Sequence, residues 1–253
     1  MAIKHDINEV IAEALEVLKR GGLILYPTDT VWGIGCDATN EAAVQRVFAL
    51  KRRAEAKSLV LLASDLDMVA RYIRKIPPIA VDLVEVNDAP MTIVYPGAIV
   101  SGASHLRTAG QGTAPEGRAT CGVSAAGFGL ALSVIAADGS VGTRIPRAAS
   151  VAEDDRPMSA GAVFCNRLIY RLRRPLVSTS ANISGEPAPA SFAAISPEIR
   201  AGFDYVVPGA VSGLALPGLS RPTASVRFDD SASGRPSQIL KLGLDGEVEI
   251  IRP

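Results

Sequence analysis

The amino-acid sequence predicts a single α/β domain with a twisted, mixed β-sheet and flanking helices. Helical segments alternate with short apolar runs early in the chain, whereas strand-like runs dominate its last part. The 253 residues suffice for one large domain or two small ones. Because the helices and strands interleave without an internal repeat, we expect one domain.

Capping residues and glycines locate the first two helices. Asp6 with Glu9 makes a capping box, and the apolar helical face that follows ends at Gly21-Gly22. Asn40 can cap a second helix, which ends in the basic run Lys51-Arg52-Arg53. These signals predict two helices before residue 53.

Periodicity and turn residues locate the other elements. Ser64 with Asp67 is expected to cap a third helix that runs to about Arg74. Asp245-Gly246 is the best hairpin turn in the chain. Further helices are predicted over 78–86, 160–173 and 197–201, and strands over 23–26, 58–64, 91–95, 140–145, 175–180, 204–207, 223–228, 237–242 and 247–252.

Two segments carry neither a helical nor a strand period. Residues 98–129 are rich in Gly, Ala, Ser and Thr, and residues 148–160 are polar around the run EDDRP. Long loops inside a compact domain are lids, binding loops or disordered insertions. We expect loop insertions at both places.

Charge and cysteine content argue against several classes of protein. Lys plus Arg equals Asp plus Glu at 26 each, so there is no global positive field for nucleic acids. The three cysteines are odd in number and lack a CxxC pair, which argues against a disulfide framework or a structural zinc site. The N-terminus is too polar for a signal peptide, and no apolar run approaches the roughly 20 residues of a membrane span. A cytoplasmic protein without a membrane role is expected.

Common catalytic signatures are absent from the sequence. It contains only two histidines, no HExxH and no GxSxG, so histidine-based hydrolysis and zinc chemistry are poor candidates. It also lacks GxxxxGK[ST] and a GxGxxG motif after a strand. A nucleotide site would therefore use neither common phosphate-binding loop.

The stretch LILYPTDTVWGIG at 23–35 turns an apolar strand into polar residues. Pro27 ends the strand because it has no N–H to donate. Thr28, Asp29 and Thr30 then stand at a strand's carboxyl end, where ligands bind in open α/β sheets. On this segment alone, a turn that caps its own backbone is the simpler interpretation.

Two other clusters could bind phosphate. Lys51, Arg52, Arg53 and Lys57 lie between a helix and a strand, where they could clamp phosphates or merely satisfy the helix dipole. The run STSAN at 178–182 follows an apolar strand and offers hydroxyls and backbone N–H groups. The alternative is a turn that caps a following helix.

Two arginines also lie near strand ends. Ser140 and Arg144 in GSVGTRIP share a strand face, and an inward arginine needs a ligand carboxylate, a phosphate or a core aspartate as its partner. The segments RPSQILKLG and EVEIIRP pair as a hairpin and place Ser237 and Arg252 at strand ends. An ordinary surface hairpin is the alternative there.

Taken in order, PTDTVWGIG, KRRAEAKSLVLL, GSVGTRIP and PLVSTSANISGEPAP resemble the YrdC/Sua5 family of L-threonylcarbamoyladenylate synthases. STSAN after a strand is the most diagnostic piece, and YVVPG and KLGLDGEVEIIRP are similar to bacterial short-form members. The resemblance implies a twisted sheet around a large basic cavity. It also implies a nucleotidyltransferase that makes threonylcarbamoyl-AMP and pyrophosphate from L-threonine, bicarbonate and ATP with Mg²⁺. The product would serve t6A37 modification of tRNA through a TsaD-type complex.

The resemblance further implies roles for individual residues. Lys51 and Arg53 would be catalytic and would face ATP phosphates or bicarbonate. Threonine would be held by Thr30, Arg144 and Ser237, with the arginine on its carboxylate. The nucleotide would be bound by Arg53, Lys57, Ser140, Ser178, Ser180, Asn182 and Arg252. No metal ligand is identified, and phosphates and water are expected to hold the Mg²⁺.

Two other functions fit the same resemblance. One is a non-catalytic module that binds double-stranded RNA or tRNA, which the zero net charge disfavours; weak RNA binding beside the catalysis is compatible with it. The other is a carbamoyl-transfer domain like that of hydrogenase maturation proteins, whose accompanying modules are not found in this sequence.

Overall fold

A computed structural model describes residues 5–53, 59–87, 89–101, 122–124, 129–146, 159–214 and 225–253, with the backbone alone at 122–124 and 231. The described helices are α1 (Ile7–Lys19), α2 (Glu41–Leu50), α3 (Leu66–Ala70), α4 (Pro78–Val86), α5 (Ala160–Leu172) and α6 (Pro197–Ala201). The described strands are β1 (Ile24–Tyr26), β2 (Gly33–Gly35), β3 (Val60–Leu62), β4 (Met91–Tyr95), β5 (Ile99–Ser101), β6 (Gly122–Ser124), β7 (Val141–Arg144), β8 (Leu176–Ser180), β9 (Tyr205–Val206), β10 (Ala210–Val211), β11 (Val226–Arg227), β12 (Gln238–Leu242) and β13 (Val248–Arg252).

A mixed nine-stranded sheet is the main feature of the described chain, with the order β13-β12-β4-β7-β3-β8-β2-β1-β9. The pairs β12–β4, β3–β7 and β1–β9 are parallel, and the other neighbours in this sheet are antiparallel. Strands from distant parts of the chain thus become neighbours, and the predicted α/β class with a mixed sheet is confirmed.

Strand β2 was not predicted from the sequence. It pairs with β1 and β8, and its glycines leave room for the ring of Tyr26, because a Cβ on Gly35 would lie 2.6 Å from that ring. The stretch after Pro27 is therefore a tight loop between two paired strands. The polar loop residues are held against the sheet as a result.

The helix caps follow the sequence with one correction. Asp6 accepts a hydrogen bond from the Asn8 amide at 2.8 Å, and the Asn40 side chain accepts one from the Ala43 amide at 3.1 Å. The third helix is capped by Asp65 and not by Ser64, and it ends at Ala70, well before the predicted Arg74. The chain leaves this helix early because Ile73 forms a β-bridge with Ala98.

Segment 98–129 was expected to be an insertion without regular structure. Its described ends instead contain β5 and β6, which pair in parallel, and Val100 in β5 is buried. A pairing between residues this far apart leaves no local period in the sequence. Residues 102–121, 125–128 and 147–158 lie outside the described chain, so the insertion hypothesis stays a prediction for them.

Trp32 closes the core beneath the PTDT loop. Its ring centroid lies 4.8 Å from that of Phe192 and 6.3 Å from that of Phe228. Its indole N–H donates to Asp229 at 2.6 Å. The loop is thereby tied to the segment that leads into β12. Among the described helices, none has the length and apolarity needed to cross a membrane.

Candidate functional site

An open cavity lies on one face of the main sheet, and its empty space is about 1150 Å³ including the open mouth. Strand register builds its floor: Val94, Gly142, Val60 and Ser178 are side by side on four neighbouring strands, and all four line the cavity. Gly142 contributes no side chain at the middle of this row. The floor is therefore recessed where β7 crosses it.

The PTDT loop forms one wall of the cavity through Thr28 and Thr30. The Thr28 hydroxyl lies 2.9 Å from that of Thr30, donates to the Val31 carbonyl at 2.7 Å and accepts from the Thr30 amide at 3.0 Å. Thr28 is thus the self-capping turn residue of the simpler interpretation. Thr30 also lines the cavity, whereas its contact with a ligand stays a prediction.

Arg144 lines the cavity and pairs with a buried carboxylate. Its Nη1 lies 2.5 Å from Oδ1 of Asp29, and the two side chains are 4% and 7% exposed. Of the partners considered for this arginine, the structure shows the core aspartate. Asp29 itself is not part of the described cavity lining, so it contacts the arginine from behind.

Lys51 is buried outside the described lining of the cavity. Its ammonium donates to the carbonyls of Ser180 at 2.5 Å and Asn182 at 2.7 Å, and to the Asn182 side-chain oxygen at 3.3 Å. Its own carbonyl accepts from the Ser184 amide at 2.9 Å. Lys51 therefore holds the loop after β8 through its ammonium and through its backbone carbonyl. Its contact with phosphate or bicarbonate stays a prediction.

Burial changes the protonation of Lys51. It lowers the pKa of the ammonium to about 8, and the nearby Arg53 charge lowers it further in the same direction. At pH 7 the side chain is still mainly the cation that these three acceptors require. Arg53 lines the cavity, and its pKa is also lowered by burial. Lys57 lies outside the described residues.

The STSAN run brings two of its predicted residues to the cavity. Ser178 and Ser180 line it from β8, and Ser180 pairs with Gly33 of β2. Asn182 lies outside the described lining: its Oδ1 accepts from the Ser180 hydroxyl at 2.5 Å, and its amide donates to the Glu186 carbonyl at 2.5 Å. Asn182 therefore shapes the loop that Lys51 holds.

The hairpin β12–β13 and the residue before it contribute Arg252 and Ser237 to the cavity lining. The Arg252 guanidinium donates to the Ser237 carbonyl at 2.9 Å through Nε, and the Ser237 hydroxyl lies 2.8 Å from that of Thr92. The hairpin thus contributes to the cavity lining, and its role in ligand binding stays a prediction. Like Lys51 and Asn182, the predicted residue Ser140 is not in the described lining, and its hydroxyl donates to Asp138 at 2.6 Å.

Sequence reasoning missed Thr92 and Gly142 as site residues. Thr92 is fully buried and is the one aliphatic hydroxyl in the apolar strand MTIVY, a signal that could have identified it. Gly142 sits in a strand, where glycine frequently marks a place that a ligand or backbone approaches closely. Both residues line the cavity, but neither belongs to a motif that the sequence analysis used.

The described residues favour a ligand with anionic groups. Three arginines and several hydroxyls line the cavity, and no carboxylate is among its described lining residues. Within the described ranges no group of three or more His, Cys, Asp or Glu is placed to hold a metal ion. Such a site can neutralise and orient phosphate and carboxylate groups.

Comparisons with known proteins identify a family and similar folds. The family model for Sua5, YciO and YrdC proteins, described as "Telomere recombination", matches residues 16–140 and 158–216. The threonylcarbamoyl-AMP synthase of Xanthomonas campestris pv. campestris is 33% identical over 207 residues, which are 81% of this chain and 88% of the relative. Similar folds occur in the Sua5 protein of P. abyssi complexed with L-threonine (21% identity, TM-score 0.61, 92% of this chain and 50% of that one) and in E. coli YciO (16%, 0.60, 99% and 91%).

Proposed function

Because the chain belongs to the Sua5–YciO–YrdC family, we propose that it is an L-threonylcarbamoyladenylate synthase. The substrates are L-threonine, bicarbonate and ATP, and the products are threonylcarbamoyl-AMP and pyrophosphate. The product then passes to a TsaD-type complex for t6A37 modification of tRNA. A curated relative that covers most of this chain carries the name of this activity.

One observation carries the proposal: a single cavity collects hydroxyls and arginines from segments far apart in the chain. Thr30 and Arg144 lie at one part of it, with Ser178 and Ser180 on the floor. Arg53 and Arg252 add two more cations. This arrangement suits two reactants that are both anionic and must be brought together.

The reaction needs charge compensation more than it needs a side-chain nucleophile. The threonine amine forms a carbamate with bicarbonate-derived CO₂, and a carbamate oxygen then attacks the α-phosphorus of ATP while pyrophosphate leaves. The carbamate and the triphosphate repel each other, and guanidinium groups offset that repulsion. Positioning of reactants supplies a large part of the acceleration in such transfers. The lack of a histidine in the described lining is therefore no obstacle.

Within this proposal, Arg144 and Thr30 hold threonine, Arg144 through the carboxylate. Ser178 and Ser180 contact the nucleotide, and Arg53 contacts the phosphates. Mg²⁺ bound to the ATP substrate would supply positive charge that offsets the charge of the pyrophosphate group. Because the described lining has hydroxyls but no carboxylate, we expect phosphate oxygens and water to be the main ligands of this ion.

Pyrophosphate release tests the proposal directly. The assay contains ATP, Mg²⁺, L-threonine and bicarbonate, and each of the last two is omitted in turn. We expect either omission to abolish release. Release that does not depend on threonine, or no release from the complete mixture, would refute the proposed function.

A further inference from the structure

In the ion pair between Arg144 and Asp29, one partner lines the cavity and the other does not. Arg144 is on the cavity wall, whereas Asp29 is behind it and outside the described lining. A guanidinium carries its five N–H donors in one rigid plane. Because Asp29 holds Nη1, it also fixes the direction in which the other donors point.

The backbone around Asp29 is held firmly enough to give that direction. The Asp29 carbonyl accepts from the Ser233 amide at 2.9 Å, and the Thr30 carbonyl accepts from the Gly234 amide at 2.9 Å. On the other side, Gly161 of α5 packs so closely that a Cβ there would lie 2.1 Å from the Thr28 carbonyl oxygen. The carboxylate is thus presented to Arg144 by a loop clamped from two sides.

Charge distinguishes Arg144 from the Arg252 contact in the same cavity. Arg144 is paired with a buried carboxylate, so the pair as a whole is neutral. Arg252 donates to the Ser237 carbonyl, which leaves its positive charge uncompensated by that contact. A neutral pair keeps the directional hydrogen bonds of a guanidinium but attracts multiply charged anions less strongly.

We infer that Asp29 is a positioning residue that makes the Arg144 end of the cavity selective for the single carboxylate of an amino acid over phosphate groups. It acts by orienting the guanidinium and by cancelling its charge. ATP and pyrophosphate are thereby kept away from the amino-acid end of the cavity. This inference rests on the proposed function, and it assigns a task to a residue that does not line the cavity.

The test is competition between L-threonine and phosphate in the full chain. Asp29→Asn keeps an oxygen for Arg144 but removes the negative charge, and Asp82→Asn makes the same change of charge on the exposed side of α4. Calorimetry gives the threonine affinity with inorganic phosphate or pyrophosphate present at increasing concentrations. We expect half-displacement of threonine from Asp29→Asn at a phosphate concentration at least tenfold lower than for the wild type and Asp82→Asn.

The outcomes separate the two hypotheses. If the wild type binds threonine and Asp29→Asn shows unchanged phosphate competition, the role of Asp29 is wrong and the proposed function stands. If the wild type does not bind threonine, both are wrong. Should Asp29→Asn fail to fold, Arg144→Lys keeps the neutral pair without the planar fork. The Arg144→Lys variant should bind threonine at least tenfold more weakly than the wild type, and phosphate should compete with threonine as it does in the wild type. Stronger phosphate competition in Arg144→Lys would overturn the inference.

Discussion

Raising the pH should weaken the hydrogen bonds that Lys51 makes to the loop after β8, and activity should fall as a result. The pKa of this buried ammonium is lowered from 10.5 to about 8. Between pH 7 and pH 9 the ammonium therefore changes from about nine-tenths protonated to about one-tenth. A neutral amine has two N–H donors for the three acceptors of Ser180 and Asn182. One acceptor loses its partner, so we expect ATP-dependent activity to fall with an apparent pKa near 8.

The effect on stability has the opposite sign. Below pH 8 both the folded and the unfolded state carry the proton, and the lowered pKa corresponds to a cost of about 3 kcal/mol for keeping the ammonium buried. Between about pH 8 and 10.5 the unfolded state binds more protons than the folded one, so this group makes the free energy of unfolding rise with pH. Activity and the Lys51 contribution to stability should therefore diverge above pH 8.

Two measurements check this reasoning. NMR titration of ¹³Cε-labelled lysine should show one lysine with a pKa near 8, and its signal should disappear in Lys51→Arg. The pH–activity profile of Lys51→Arg should lack the basic limb because arginine stays charged. A wild-type pKa for Lys51 above 10, or the same basic limb in Lys51→Arg, would refute the argument.

Three further changes test other parts of the site. Arg144→Ala should weaken threonine binding at least tenfold more than ATP binding in calorimetry, and equal losses would contradict the assignment. Gly142→Val should fold normally, since a Cβ there lies 3.4 Å or more from its neighbours, and strand propensity should add up to about 1 kcal/mol of stability. It should still bind ATP at least tenfold more weakly because the side chain fills the recessed floor; unchanged affinity would argue against that floor as the site. Trp32→Phe removes the hydrogen bond to Asp229 and should lower the free energy of unfolding by about 1.5–3 kcal/mol in urea titrations, whereas no loss would show that this bond does not hold the loop.

Elements with strong local signals could be predicted from the sequence. Strand β4 and helices α4 and α6 have the predicted bounds, because an apolar run or a proline in the first helical turn defines each of them. The Asp245-Gly246 turn joins β12 to β13 as expected. In these cases the relevant interactions lie within a few residues of one another.

Features that depend on distant partners could not be predicted in the same way. Strand β2 is short and contains two glycines, and it exists as a strand through its pairing with β1 and β8. The inward direction of Lys51 depends on carbonyls about 130 residues further along the chain. A motif identified Lys51 and Ser140 as candidates, but neither is in the described lining, because bonds to Ser180 and Asn182 and to Asp138 hold their side chains elsewhere.

The hairpin β12–β13 has a consequence for the time course of folding. It pairs with β4, whose residues precede it by about 150 positions, and it lines the same cavity as residues near position 30. Contacts this remote in sequence carry a high loop-closure cost and tend to form slowly. Every residue of β13 is exposed at the edge of the sheet. Its docking therefore buries little apolar surface that could favour early formation of this contact. A newly made chain would thus acquire most of its secondary structure before it can hold a ligand, and recovery of binding is the stricter measure of complete folding.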